Sequence, residues 1–333
     1  MSRPDPNAAL QDEHRRGISY LRLSITDRCD LRCGYCMGDQ RVEFLPHCSL
    51  LDDAELLTLA RVAVGLGIRK IRITGGEPLL HPRVVELLTR MRELPGLERL
   101  VLTTNGQRLA ELAPALAGAG VDGVNISLDS LRPDRYAEIT RTGDLQRCLD
   151  GIDAALEHGL HTMLNVVVLR GVNDDELLDF VDFARERPLT VRFIEHMPTA
   201  AGGESRAVPA DEMLRRIAAE HELRERPPAQ DGRIAGPARV FELSGARGLI
   251  GVIAPVSHSF CTSCNRIRVG ADGLARGCLF LEAPVDLKPM LRAADEAALA
   301  TALLALVARK PARHGLSGGE GGDDFPQMSR MGG

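Results

Sequence analysis

Between Tyr20 and His221 the chain repeats one unit: a short run with apolar residues at every second position, then an amphipathic stretch of helical period. The runs at 20–25, 70–74, 100–103, 123–128, 162–168 and 190–195 predict strands. The stretches at 52–66, 82–94, 109–119, 133–140, 144–158, 174–186 and 210–221 predict the helices that follow them. Strands alternating with helices make a parallel sheet joined by right-handed crossovers. Six such units are too few to close an eight-stranded barrel. The expectation is an α/β fold, a partial (β/α)6 barrel of the TIM type, in preference to a flat doubly wound sheet.

Side-chain parity supports that choice, because alternate residues of a strand share a face. On the first strand Arg22, Ser24 and Thr26 oppose Leu21, Leu23 and Ile25, and on the second Lys70, Arg72 and Thr74 oppose Ile71 and Ile73. The fourth sets Asn125, Ser127 and Asp129 against Val124, Ile126 and Leu128. A closed barrel fills its lumen with branched apolar side chains. Polar groups left unpaired in such a core would cost roughly 2–7 kcal/mol each. A wet lumen holding a polar ligand removes the conflict.

Directly after the first strand stand Cys29, Cys33 and Cys36, spaced C-x3-C-x2-C. A structural zinc takes four protein ligands, and this run supplies three. Three thiolates suit a [4Fe-4S] cluster whose fourth iron stays open to an outside ligand. A zinc knuckle with a distant fourth ligand, or three plain thiols, are the alternatives. A second triad, Cys261, Cys264 and Cys278, has the spacing C-x2-C-x13-C around Asn265-Arg266-Ile267-Arg268. Zinc is the more serious rival there, since zinc ribbons use C-x2-C half-sites. Arg266 and Arg268 share a strand face, which suits forked donors gripping phosphate oxygens. Thr74-Gly75-Gly76-Glu77-Pro78 ends the second strand with two glycines that let backbone approach a ligand and a proline that fixes the turn.

Of the eight cysteines only Cys48 and Cys148 stand outside the triads, and they read as incidental thiols. Such clustering indicates metal ligands in a reducing cytoplasm rather than a secreted disulfide framework. A net charge of −5, no Trp and only 3% aromatic residues argue against nucleic acid as a partner. A few arginines focused in a cleft remain able to hold a small anion. No run reaches the ~18 apolar residues of a membrane span, and residues 1–16 lack the apolar core of a signal peptide.

Arg22-Leu23-Ser24, Thr26-Asp27-Arg28-Cys29 and the cysteine run together resemble the radical S-adenosylmethionine (SAM) superfamily. More narrowly, they resemble the GTP 3′,8-cyclases that begin molybdenum-cofactor synthesis, the molybdenum cofactor biosynthesis protein A family. Phe260 to Arg268, Ala271-Asp272-Gly273 and Cys278-Leu279-Phe280 resemble that family's C-terminal signature, so the likeness runs from about Arg22 to Gly333. It implies two [4Fe-4S] clusters, one on Cys29, Cys33 and Cys36 and the other on Cys261, Cys264 and Cys278. It implies SAM contacts from Tyr35, Gly76, Ser127 and Met197. GTP contacts are implied for Arg22, Lys70, Arg72, Thr103, Arg192, Arg266, Ile267 and Arg268, with Gly332 and Gly333 of a double-glycine tail entering the pocket. Arg22 is also the candidate for a late catalytic step.

The implied reaction takes a hydrogen from C3′ of GTP with a 5′-deoxyadenosyl radical and joins C3′ to C8, giving (8S)-3′,8-cyclo-7,8-dihydroguanosine 5′-triphosphate. A low-potential electron donor such as a flavodoxin, a cyclic pyranopterin monophosphate synthase that receives the product, a cytoplasmic location and a homodimer complete what the resemblance implies. One departure stands out: the family carries a Lys-x-Asn element whose lysine meets the substrate, and here Met163 precedes Asn165. His161, on the same strand face, is the candidate to compensate. Rival readings are a radical SAM maturase that modifies a peptide and a non-catalytic zinc or iron–sulfur module. The chain divides into a disordered leader (1–17), the partial barrel (18–230), a C-terminal subdomain carrying the second cluster (231–314) and a flexible Gly-rich tail (315–333). Strands near 239–243, 249–253, 266–269 and 275–279 and a helix near 295–308 are expected in the subdomain.

Overall fold

Local chemistry sets the element boundaries. The Asp52 side chain accepts from the Glu55 backbone N–H at 2.9 Å while Glu55 accepts from Asp52 at 2.8 Å, so the first long helix begins on a reciprocal cap. The computed structural model describes residues 10–37, 43–197, 206–227, 236–280 and 284–314. In chain order its elements are β1 (Tyr20–Ser24), α1 (Gly34–Met37), α2 (Asp53–Gly65), β2 (Lys70–Thr74), α3 (Val84–Arg92), β3 (Arg99–Thr104), α4 (Leu109–Gly118), β4 (Gly123–Ser127), α5 (Pro133–Thr140), α6 (Leu145–Glu157), β5 (His161–Val168), α7 (Leu177–Glu186), β6 (Thr190–Glu195), α8 (Ala210–Ala218), β7 (Leu223–Glu225), β8 (Arg239–Leu243), β9 (Leu249–Ile253), β10 (Arg266–Val269), β11 (Leu274–Arg276), β12 (Val285–Asp286), α9 (Lys288–Arg292) and α10 (Glu296–Ala308).

Among the described residues twelve strands join one sheet in the order β12-β11-β10-β1-β2-β3-β4-β5-β6-β9-β8-β7. The six expected strands lie side by side and parallel. Two more parallel strands flank them, β10 against β1 and β9 against β6. The C-terminal strands therefore build no sheet of their own; they extend both edges of the partial barrel. The connection from β9 to β10 carries Cys261 and Cys264 from one flank to the other. Short strands β7 and β12 and helix α9 were not expected from the sequence, because elements of two to five residues carry too little periodicity to detect.

The parity argument holds. Leu21, Leu23, Ile71, Ile73, Leu100, Leu102, Val124, Ile126, Val191 and Phe193 are fully buried beneath the helices. Each contributes roughly 1.5–3 kcal/mol of burial. Glu195, at the end of β6, ties the barrel rim together: its carboxylate accepts from the backbone N–H groups of Ala210, Val256 and Ser257 at 2.7, 3.0 and 3.0 Å.

The expected disordered leader is corrected from Leu10 onward. Leu10 is 6% exposed, and the buried Arg16 donates to the carbonyls of Cys261 and Pro311, both at 2.7 Å. The N-terminal segment is pinned against the C-terminal triad by these bonds. Among the described residues no helix is long and apolar enough to cross a membrane.

Candidate active site

The register places cations in rows. On the lumen face Arg22 stands between Arg72 of β2 and Arg268 of β10, and Tyr20 stands between Lys70 and Arg266. Neighbouring strands lie only about 4.8 Å apart, so six polar side chains crowd one patch. Tyr20 answers part of that charge. Its hydroxyl accepts a short hydrogen bond from Arg72 Nε, and Lys70 Nζ lies 4.9 Å from its ring centroid. Burial alone would raise the Tyr20 phenol, but Arg72, Arg22 and Lys70 outweigh it and bring it down to about 7. Burial, followed by neighbouring cations, lowers Lys70 to about 8, Arg192 to about 9 and Arg268 to about 10. Arginines keep their protons in proteins; these directions express a demand for an anion. Thr103 accepts from Arg72 at 3.0 Å and Asn165 from Arg192 at 2.7 Å, which fixes both guanidinium groups.

These residues line one cavity, together with Asn125, Met163, Cys261, Cys264 and Cys278. A second cavity lies further along the same strands, at their C-terminal ends, where parallel α/β sheets usually bind ligands. It is lined by Cys29, Cys33, Cys36, Tyr35, Gly76, Ser127, Asp129, Glu195 and His196. Thr103, Asn165, Ile194 and Met197 border both cavities. The lumen thus has a cationic end and an acidic end, with two polar and two apolar side chains at the junction.

At the acidic end Tyr35 donates to Asp129 at 2.6 Å, and Asp129 accepts from the Val167 N–H at 2.8 Å. Burial pushes Asp129 up to about 6, against those two bonds. Glu77 does not face the cavity. Its buried carboxylate accepts from the N–H groups of Leu79 and Asn105 and from Thr104, knotting the loops after β2 and β3. Burial raises it to about 7. The two preceding glycines line the cavity and are also required by the protein's own backbone. A Cβ on Gly76 would stand 2.2 Å from the Arg28 carbonyl oxygen, and one on Gly75 would stand 2.6 Å from that of Thr26. They let the end of β2 pack against the backbone leading into Cys29.

The triads differ in kind. Burial, with Glu77 and Asp30 adding to it, pushes Cys29 up to about 12. Cys33 is raised well above the usual thiol by burial and then by Asp129. Cys264 goes the other way: Arg266, Lys310 and Arg268 overcome its burial and bring it to about 7. None of the six thiols is in a disulfide, and each triad opens on a single cavity. Among the described residues no three His, Cys, Asp or Glu side chains converge tightly enough for a single ion. Three thiols at each cavity suit a [4Fe-4S] cluster with one iron left open. Buried atoms around the lumen also stand without a hydrogen-bond partner, namely Thr74 Oγ1, Asn125 Oδ1 and Arg192 Nε. Buried polar groups are normally paired, so the lumen is built for polar ligands.

The structure brings together Tyr35, Gly76, Ser127 and Met197 at one end and Arg22, Lys70, Arg72, Thr103, Arg192, Arg266 and Arg268 at the other. Ile267 is the exception. Strand alternation turns its side chain into the core, 1% exposed beside Leu21. His161 is also corrected: it sits exposed at the N-terminal end of β5 and does not line the lumen. Gly332 and Gly333 lie outside the described residues. Sequence reasoning missed Tyr20, whose parity with Arg22 was the available signal. It also missed Arg16 and Lys310, which no motif marks, and His196, which lines the acidic end next to Met197.

A partial barrel with a three-thiol loop after its first strand and a glycine-lined rim after its second defines a radical SAM enzyme. Residues 23–184 match the radical SAM superfamily, and residues 189–316 match Molybdenum Cofactor Synthesis C. The chain is 49% identical to the GTP 3′,8-cyclase of Geobacter sulfurreducens over 97% of its length and 99% of the relative's. It is 49% identical to that of Moorella thermoacetica, over 93% and 96% of the two chains. The chain belongs to the GTP 3′,8-cyclase family. Its fold is shared by Streptococcus suis SuiB bound to S-adenosylmethionine, with a TM-score of 0.63 and 18% identity over 92% of this chain and 69% of that one.

Proposed function

We propose that the lumen takes its two small molecules at opposite ends, SAM beside Cys29, Cys33 and Cys36 and GTP beside Cys261, Cys264 and Cys278. The division of charge along one set of strands carries this reading. The reaction is that of the family, conversion of GTP to its 3′,8-cyclised 7,8-dihydro form in the first step of molybdenum-cofactor synthesis. When bound, the N-terminal [4Fe-4S] cluster supplies the electron that cleaves SAM, and the C-terminal one supplies an open iron for the guanine base.

The remaining work falls to side chains. Arg72, Arg192, Arg266 and Arg268 hold the triphosphate with forked donors, while Lys70 adds a compact charge. Arg22, central in the cationic rows, takes the late step at which the cyclised nucleotide is reduced or protonated. Ile194 and Met197 keep water from the path between the two molecules. Tyr35, Gly76 and Ser127 border SAM. Gly332 and Gly333 complete the cationic end, a reading supported by His314 lining that cavity. The finer parts rest on family membership: a low-potential donor such as a flavodoxin, a cytoplasmic setting, a homodimer, and transfer of the product to the cyclic pyranopterin monophosphate synthase. The boundary near residue 230 falls within one sheet, and residues on both sides of it meet at the cationic end.

Anaerobic incubation with SAM, dithionite and GTP tests the reading. 5′-Deoxyadenosine and a cyclised nucleotide are expected together. 5′-Deoxyadenosine without any nucleotide product would overturn GTP as substrate and favour a peptide-modifying enzyme.

A further inference from the structure

The chain holds 41 Lys and Arg residues, and only Lys70, Lys288 and Lys310 are lysines. Lys310, just beyond α10, is 3% exposed and does not line the lumen. Its ammonium contacts Gly277 O at 2.6 Å, Arg266 O at 3.1 Å and Cys264 Sγ at 3.4 Å. Three donors meet three acceptors, and each acceptor is a cysteine of the C-terminal triad or lies within two residues of one. A planar guanidinium fork cannot reproduce this tripod. Arg16 completes the arrangement from the N-terminal segment. Its Nε meets Asp12 at 2.6 Å, and its other donors meet the carbonyls of Cys261, Lys310, Pro311 and Ala312 at 2.7–3.4 Å. Both cations therefore stand behind the triad, on the side away from the substrate.

We propose that Lys310 and Arg16 are positioning residues of the C-terminal cluster: Lys310 donates an N–H···S hydrogen bond to Cys264 and, with Arg16, fixes all three cysteines. The proposal rests on that triad holding a cluster. Hydrogen bonds and positive charge at a ligand sulfur stabilise the reduced, more negative cluster and raise its potential. Lys310 thereby sets the C-terminal centre apart from the N-terminal one, whose neighbours are acids.

The test uses the full chain carrying Cys29→Ala, Cys33→Ala and Cys36→Ala, reconstituted anaerobically so that only the C-terminal triad binds about four irons. Lys310→Met is expected to reduce at a more negative midpoint in an EPR-monitored titration, and Lys310→Gln, which keeps donors without charge, to shift less. Arg16→Met is expected to lose iron faster to a chelator with its midpoint little changed. Folded Lys310→Met protein that cannot retain iron would also support the brace. Full iron with an unchanged midpoint would overturn the proposal alone, whereas a background protein that takes up no iron would sink the cluster reading itself. Should Lys310→Met fail to fold, protein with Lys310 intact, Lys70→Arg and 15N-labelled lysine settles the contact by pulsed EPR of the reduced cluster. Nitrogen coupling is expected, and its absence would refute the N–H···S bond.

Discussion

The two cysteine triads open on one lumen, yet they sit in opposite fields. Cys29 and Cys33 are pushed up first by burial and then by the nearby Glu77, Asp30 and Asp129; Cys264 faces Arg266, Lys310 and Arg268, which overcome its burial and pull its thiol down. The difference matches the proposed ligands. SAM carries a sulfonium and an ammonium, which acids stabilise, while GTP carries a triphosphate, which arginines stabilise. One barrel can hold both because its strands run long enough to place Arg72 at one level and the Thr74–Gly76 rim at the next. In the proposed arrangement the charge change along a strand is what sorts the two ligands to their ends.

The largest expected effect is separation of the two activities. Alanine at Cys29, Cys33 and Cys36 should abolish SAM cleavage. Alanine at Cys261, Cys264 and Cys278 should leave uncoupled cleavage but no cyclised nucleotide. Intact, reconstituted protein should bind about eight irons, and about four would refute the two-cluster assignment. A sharper probe of the fields needs no iron. In anaerobic, metal-free protein at pH 7.5, Cys264 should alkylate faster than Cys29 or Cys33 by on the order of a hundredfold, since the thiolate is the nucleophile. Peptide mapping after a short pulse of iodoacetamide reads this, and even labelling across both triads would remove the contrast.

The fields also predict opposite pH slopes. Asp129 lines the acidic end with a value of about 6, and Glu77 behind it has one of about 7. Both are raised, so they are neutral at low pH and gain charge as pH rises. A cation prefers the charged form, and SAM affinity should therefore climb between pH 5.5 and 7.5. At the other end Tyr20 ionises near 7 and Lys70 loses its proton near 8. Each change removes positive charge, so GTP affinity should fall between pH 7 and 9. Linkage limits each group to about tenfold per pH unit. Calorimetric titrations of the two ligands with parallel slopes would break the comparison.

Much of this was legible in the sequence because periodicity is a local property. Parity alone separated Arg22, Arg72 and Asn125 from the core, and the register then paired Arg22 with Arg72 and Asn125 with Thr103. The triads were legible through spacing. What stayed hidden depends on contacts far apart in the chain. Arg16 meets residues about 245 positions away, and Lys310 meets Cys264 across 46; neither carries a local signature. The glycines carried a second role that was hidden for a related reason, because the backbone of Arg28, far away in sequence, also excludes a Cβ at Gly76.

The smallest expected effect concerns Met163, which occupies the position where the family's resemblance places a substrate-contacting lysine. It lies between Asn125 and Thr190 across the sheet, is 6% exposed and lines the cationic end beside Asn165 and Arg192. A lysine there would add a hydrogen bond to a charged group, worth about 1.5–3 kcal/mol in isolation. Arg192 already occupies that side, and burial together with Arg72 lowers it to about 9, so a further cation would add to the repulsion. The net gain should sit at or below the low end, about tenfold in GTP affinity. His161 offers no compensation, being exposed and outside the cavity. Any pH dependence of GTP binding should therefore follow Tyr20 and Lys70 and persist in His161→Ala. Met163→Lys should tighten GTP and leave SAM binding unchanged, since Met163 does not border the acidic end. Equal GTP affinities in the two proteins would mean that the arginines already saturate the triphosphate, and a change in SAM affinity instead would show that the two ends are not electrically separate.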